Sequence, residues 1–134
     1  MAQETAIDHA VKYAETGLVF VSTTNDLGVP HLAAAGTVSK PERGRISVTE
    51  WFCPATAENA VPGRPISVVV WDSAHDLGHQ IIGRVSAVEE ISMLDGYQPN
   101  EHRRSPVPQV KRRLIIDVEQ VTAFSKAPHS DIEE

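Results

Sequence analysis

The spacing of apolar positions changes once, early in the chain, from a helical period to a strand period. Ala6, Ile7, Ala10, Val11 and Ala14 recur at spacings of one, three and four, which puts them on one face of a helix ending at Gly17. This predicts a short amphipathic lid. The run Leu18-Val19-Phe20-Val21-Ser22-Thr23 is β-branched and aromatic, and Asn25-Asp26-Leu27-Gly28 after it has the residues of a turn. A first strand therefore enters a hairpin.

His31 to Val38 reads as the returning strand, although Ala33-Ala34-Ala35-Gly36 are poor strand formers. Side chains this small suit either a tightly packed strand or a surface that a ligand or another backbone approaches closely. Arg45 to Phe52 reads as a third strand and Cys53 to Val61 as a short helical piece closed by Pro62-Gly63. Pro65 to Trp71 is a fourth strand, almost wholly apolar and hence central. His79 to Val88 is a fifth, with Gly83 where a barrel strand bends or bulges. Tyr97 to Pro108 lacks periodicity and reads as a loop, Arg113 to Phe124 as the last strand, and residues 125–134 as a frayed polar tail.

Six strands at hairpin spacing, without the alternating helices of about 10 to 15 residues that parallel βαβ units need, predict an antiparallel barrel or sandwich. Periodicity alone leaves a lipocalin-like cup, an oligonucleotide-binding barrel and a split barrel all open. The 134 residues predict one domain, 1–134, with its core at about 17–124.

Composition narrows the partners. The net charge is −6 and the basic residues are scattered or paired, so a nucleic-acid backbone is not an expected partner. No apolar run approaches the length of a membrane span, and Met1 to Glu15 lacks the apolar core of a signal peptide. With one cysteine, Cys53, the chain is expected to be cytoplasmic, without an internal disulfide. His31, His75, His79 and His102 show no metal-ligand spacing, so no metal is predicted. Cys53 reads as a buried, inert thiol. The chain lacks a Gly-x-Ser-x-Gly elbow, a P-loop and a Gly-x-Gly-x-x-Gly loop, which argues against hydrolase and Rossmann chemistry. Lys111 to Arg113 could face an anionic substrate.

The order of elements and the residues at their joints resemble the pyridoxamine 5'-phosphate oxidase-like, FMN-binding split-barrel family. The likeness spans roughly Gly17 to Phe124. It is carried by the opening strand, the Asp26-Leu27-Gly28-Val29-Pro30-His31 turn, Thr49-Glu50-Trp51, Thr56-Ala57-Glu58-Asn59, the apolar fourth strand and Gln80-Ile81-Ile82-Gly83-Arg84-Val85. It implies a six-stranded antiparallel split β-barrel with a short helix at each of the two predicted places. It also implies a homodimer holding FMN at the subunit interface.

In such proteins Thr56-x-x-Asn59 would open the short helix and hold the FMN phosphate, a helix start being suited to an anion; Thr56 as a plain N-cap is the alternative. The ring would lie across Ala33 to Gly36 and Ser47 to Trp51, with Trp71 and Gln80 reaching in from the partner. The implied contacts are Ala34, Ala35, Val48, Thr49, Glu50, Trp51, Ala55, Thr56, Asn59, Trp71 and Gln80. The sequence departs from the family where a Lys or Arg often precedes the threonine: here Pro54-Ala55 stand, and Arg43, Arg45 and Arg64 are the nearby cations. The departure keeps deazaflavin, haem or no cofactor open. The implied activity is a flavin-dependent oxidoreductase acting on an unknown small molecule, with a non-catalytic flavin carrier or sensor as the alternative. No residue stands out as a general acid or base.

Overall fold

A period of two along the chain is converted directly into an inside and an outside. The structure, a computed structural model, describes residues 2–49, 53–94, 109–126 and 130–133. Helix α1 (Ala2–Ala14) leads into β1 (Leu18–Thr24), β2 (Pro30–Ala35), β3 (Thr37–Ser39) and β4 (Arg45–Thr49). Helix α2 (Pro54–Asn59) follows, then β5 (Pro65–Asp72), β6 (Leu77–Leu94), β7 (Gln109–Ser125) and β8 (Ser130–Glu133). The chain is mainly β: one curled antiparallel sheet, consistent with a split barrel, and two helices.

The strand order is β2-β1-β5-β6-β7-β4-β3, with β8 added on β7. The two ends of that order are consecutive in the chain. β2 pairs with β1, β3 pairs with β4, and Gly36 alone separates them, its N–H already donating to the Thr49 carbonyl at 3.3 Å. The segment expected to be one returning strand is therefore two, because its small residues let the backbone change partners at Gly36. This split, together with β8, gives eight strands among the described residues where six were expected. Residues 130–133, read from sequence as frayed tail, instead pair with β7, from Thr122↔Glu133 to Ser125↔Ser130.

Inward positions of β1, β5 and β6 supply Val19, Val21, Ile66, Val68, Val70 and Ile81, all buried. Leu114, Ile116 and Val121 come from β7, and Ile46 and Val48 from β4. β5 lies between β1 and β6, as its apolar run predicts. Helix α1 contributes more than a lid, since Ala6, Ile7, Ala10 and Ala14 join the same core and Tyr13 stacks on buried His79, with ring centroids 5.8 Å apart. Burying Ile7 contributes about 1.5–3 kcal/mol. Lys40, just past β3, ties the helix down through Glu4 at 2.6 Å and Asp8 at 3.0 Å. The bonded Lys40 ammonium holds the Glu4 carboxyl below its ordinary range.

The turns follow their composition. Asn25 Oδ1 accepts from the N–H groups of Leu27 and Val29, and Gly28 sits at φ 79°. The β6 and β7 strands extend well beyond the predicted limits, and the predicted loop at Tyr97 to Pro108 lies outside the described residues. No helix among the described residues is long and apolar enough to cross a membrane.

Gly83 bears out the expected bulge, with the β6–β7 register shifting between Ile82 and Gly83. A Cβ there would fall on the Asp117 carbonyl oxygen and meet the Ile116 side chain. The backbone, not a flexible side chain, would have to move. Gly83→Ala is expected to cost about 1–3 kcal/mol, read as a lowered urea midpoint with unchanged m-value; an unchanged midpoint would contradict the close approach.

Candidate functional site

Cross-strand pairing sets Ser39, Ser47 and Ile115 side by side on the outward face of β3, β4 and β7, with Glu89 of β6 opposite Arg113. A groove of about 570 Å³ lies there, lined by Ser39, Ser47, Thr49, Arg45, Arg113 and Ile115, with Pro41, Glu42 and Glu89 at its edges. Alternation along β4 decides its floor: Ile46 and Val48 point into the core, while Arg45, Ser47 and Thr49 face the groove. Its size is that of a small-molecule site, and three hydroxyls and two guanidinium groups converge on it.

The two arginines differ. Arg45 Nε donates to Asp117 at 2.6 Å and a terminal N–H donates to Glu42 at 3.0 Å. The Asp117 carboxylate holds Arg45 further toward its charged form. Arg113 is 3.9 Å from Glu89, too far for a hydrogen bond. Arg113 is thus the more loosely paired of the two groove cations.

A second outward surface lies on the other side of the sheet's path. Cross-strand pairing aligns Ala34, Phe20, Val69, Gln80 and Thr122 in one row, and Leu18, Trp71, Gly78 and Phe124 in another. Trp71 and Phe124 stack with centroids 5.6 Å apart and planes inclined by 6°. Gln80 Nε2 donates to Ser67 Oγ at 2.9 Å. Leu18 is 58% exposed and Leu32 61%, so this face presents apolar surface outward.

The residues implied by resemblance fall in several places. Thr49 lines the groove. Val48 lies beneath it with its side chain in the core, where only its backbone can face a ligand. Ala34, Trp71 and Gln80 share the second surface, and half-buried Ala35 packs against the core instead. Glu50 and Trp51 lie outside the described residues.

Ala55, Thr56 and Asn59 are on α2, none of whose residues lines the groove. Thr56 neither opens the helix nor caps it, since Cys53 is the N-cap. Thr56 is fully buried, and Asn59 Nδ2 donates to Thr23 Oγ1 at 3.1 Å, which fastens α2 to β1. Of the nearby arginines, Arg64 donates to the carbonyls of Thr24 and Asn59 and pairs with Asp26. Sequence reasoning did not single out Ser39 or Glu89; the β3–β4–β7–β6 pairing that gathers them joins segments far apart in the chain.

Cys53 departs from its expected burial. It is half-exposed, and His31 Nε2 lies 3.1 Å from its sulfur. The thiol is lowered from 9.0 to about 7, chiefly by the Thr56 N–H; burial opposes this, and His31, the Thr56 hydroxyl and the Ala55 N–H add to it. Among the described residues no group of three or more His, Cys, Asp or Glu side chains could hold a metal ion.

No protein-family model and no curated protein matches the chain. Solved structures do. HupZ of Group A Streptococcus is 17% identical, with a TM-score of 0.60 over 89% of this chain and 94% of that one. A putative pyridoxamine 5'-phosphate oxidase from Lactobacillus delbrueckii is 14% identical, with a TM-score of 0.58 over 85% of this chain and 90% of that one. A pyridoxamine 5'-phosphate oxidase-related, FMN binding protein from Nostoc punctiforme is 12% identical, with a TM-score of 0.58 over 100% of this chain and 96% of that one. The resemblance to the pyridoxamine 5'-phosphate oxidase-like family therefore stands at the level of the fold, which this chain shares over most of its length.

The lowered thiol predicts a pH-dependent stability. Cys53 loses its proton at lower pH in the folded chain than in the unfolded one, so between about 7 and 9.0 the unfolded state binds more protons and stability rises with pH. The contribution is full above the unfolded value and is lost as pH falls through about 7. Urea midpoints across this window should show a steeper rise for the native chain than for Cys53→Ser; parallel curves would contradict the assignment.

Proposed function

We propose that this chain is an FMN-binding protein of the pyridoxamine 5'-phosphate oxidase-like class, working as a homodimer and acting as a flavin-dependent oxidoreductase on a small molecule. The observation that carries this reading is the hydroxyl- and arginine-lined groove, in a fold shared with a protein described as FMN binding. The donor set fits the group. Hydroxyls of Ser39, Ser47 and Thr49 suit the polar edge of a flavin ring, Ile115 its apolar face, and Arg113 the phosphate that lacks a basic residue before Thr56.

When bound, FMN would supply hydride or single-electron transfer. The chain's residues would position it, and the two guanidinium groups would favour negative charge at that end of the groove. Thr56 and Asn59 act in this reading by fixing α2 against β1. The apolar face bearing Leu18, Ala34, Trp71 and Gln80 is assigned to the second copy, where it covers the flavin and shields it from water. A non-catalytic flavin carrier is the second reading, favoured by the pairing of both groove carboxylates, Glu42 and Glu89, with arginines.

The test is to add FMN to the purified chain, remove the excess and record the visible spectrum. Retained flavin absorbance is expected, and Arg113→Ala should weaken FMN binding by about tenfold or more while leaving riboflavin, which lacks the phosphate, unaffected. A colourless native protein would overturn the reading. Turnover of an added acceptor with a nicotinamide donor would favour the enzyme over the carrier.

A further inference from the structure

Where α2 leans on β1 and β2, the chain assembles a thiol site that the flavin reading does not use. Cys53 immediately precedes α2, and His31 reaches it from β2 with Nε2 3.1 Å from Sγ. Nucleophile and base are thus within hydrogen-bond reach although 22 residues apart in sequence. Thr56 supplies an independent observation. Its side chain is wholly buried, its hydroxyl acts on the Cys53 sulfur, and that hydroxyl makes no hydrogen bond of ordinary geometry. An unmet buried donor costs about 1–3 kcal/mol. The cost is recovered when the neighbouring sulfur becomes anionic or acquires an oxygen.

We propose that Cys53 and His31 form an oxidant-reactive thiol site whose substrate class is a small hydroperoxide. His31 takes the thiol proton. The thiolate attacks the peroxide oxygen that bears hydrogen, an S–O bond forms as the O–O bond breaks, and the departing alkoxide or hydroxide takes the proton back from His31. Sulfur gives up two electrons and the peroxide receives them, so the net change is a thiol and a hydroperoxide to a sulfenic acid and an alcohol or water. The Thr56 hydroxyl donates to the new oxygen.

Cys53 is partly exposed beside His31 of β2 and Thr56 of α2, and the oxidant we assign to it is hydrogen peroxide or a short alkyl hydroperoxide. Because the chain has no second cysteine, the sulfenic acid is resolved from outside, by a small thiol that forms a mixed disulfide and releases water. Besides His31, the elements packed here carry Glu58, exposed on α2, and the Arg64–Asp26 pair, which joins the end of α2 to the β1–β2 turn.

The full chain is treated with hydrogen peroxide in the presence of a cyclic diketone that traps sulfenic acids, and the adduct is located by mass spectrometry. In parallel, iodoacetamide alkylation is followed against pH, with free glutathione as reference. The expected results are a diketone adduct on Cys53 formed faster than on glutathione and an alkylation midpoint near 7. His31→Gln, checked for folding by circular dichroism, should move that midpoint upward and slow adduct formation about tenfold, the lower end of what a positioned base contributes. An alkylation midpoint equal to that of glutathione overturns the site. So does an acid-shifted midpoint without an adduct, which would leave a thiolate that peroxide does not reach. Should His31→Gln fail to fold, the two profiles of the native chain still decide.

Discussion

Gly36 is the point on which the architecture turns. Before it the backbone pairs with β1, after it with β4, and the sheet whose hydrogen-bonded path begins at β2 ends at β3 one residue later along the chain. A sheet joined to itself in this way must curl, and curling sorts alternating side chains into a core and an outer surface. Branched aliphatic side chains from β1, β4, β5, β6 and β7 fill the inside, and α1 adds Ala6, Ile7 and Ala10 to the same core. Gly83 does comparable work on the far side, letting β6 bulge where the Asp117 carbonyl comes too close for any side chain.

The same curl produces two outer surfaces of opposite character. Over β3, β4 and β7 the outward positions are hydroxyls and arginines around a groove; over β1, β5 and β6 they include Leu18, Phe20, Val69 and Trp71. Neither surface alone encloses a flat, partly charged ligand. Arg45 is committed to Asp117 and Glu42, whereas Arg113 has no such close partner, so the groove's capacity for an anion rests on a residue remote in sequence from the Thr56 element. The Cys53 and His31 pair belongs to a third place, the seam under α2, and its chemistry is independent of the groove.

Much of the fold was legible because burial in a half-covered sheet writes itself as alternation: β1 and β5 show it, and the Gly83 bulge and the Asn25 to Gly28 turn follow from single residues. The partner change at Gly36 was not legible, because Ala33 to Gly36 carries no pattern that marks where one ladder stops. β8 was missed since a short polar segment gains strand character only from the β7 edge beside it. Of the groove lining, Thr49 was readable, and Arg113 belongs to the Lys111 to Arg113 stretch set apart in the sequence. Ser39 and Glu89, gathered by long-range pairing, were not. The Cys53–His31 contact was not legible because β2 brings His31 from 22 residues away.

In the proposed arrangement one flavin site is built from two copies of the chain, the groove of one and the apolar face of the other. Mixed dimers test it most directly. Thr49→Tyr fills the groove and Trp71→Ala with Gln80→Ala removes the covering face, so each variant alone should bind FMN poorly. When the two are unfolded, mixed and refolded together, one of the two sites in every mixed dimer is intact on both sides, and FMN binding should reappear in proportion to the mixed dimers formed. Mixed dimers that bind no more FMN than either parent would contradict the account.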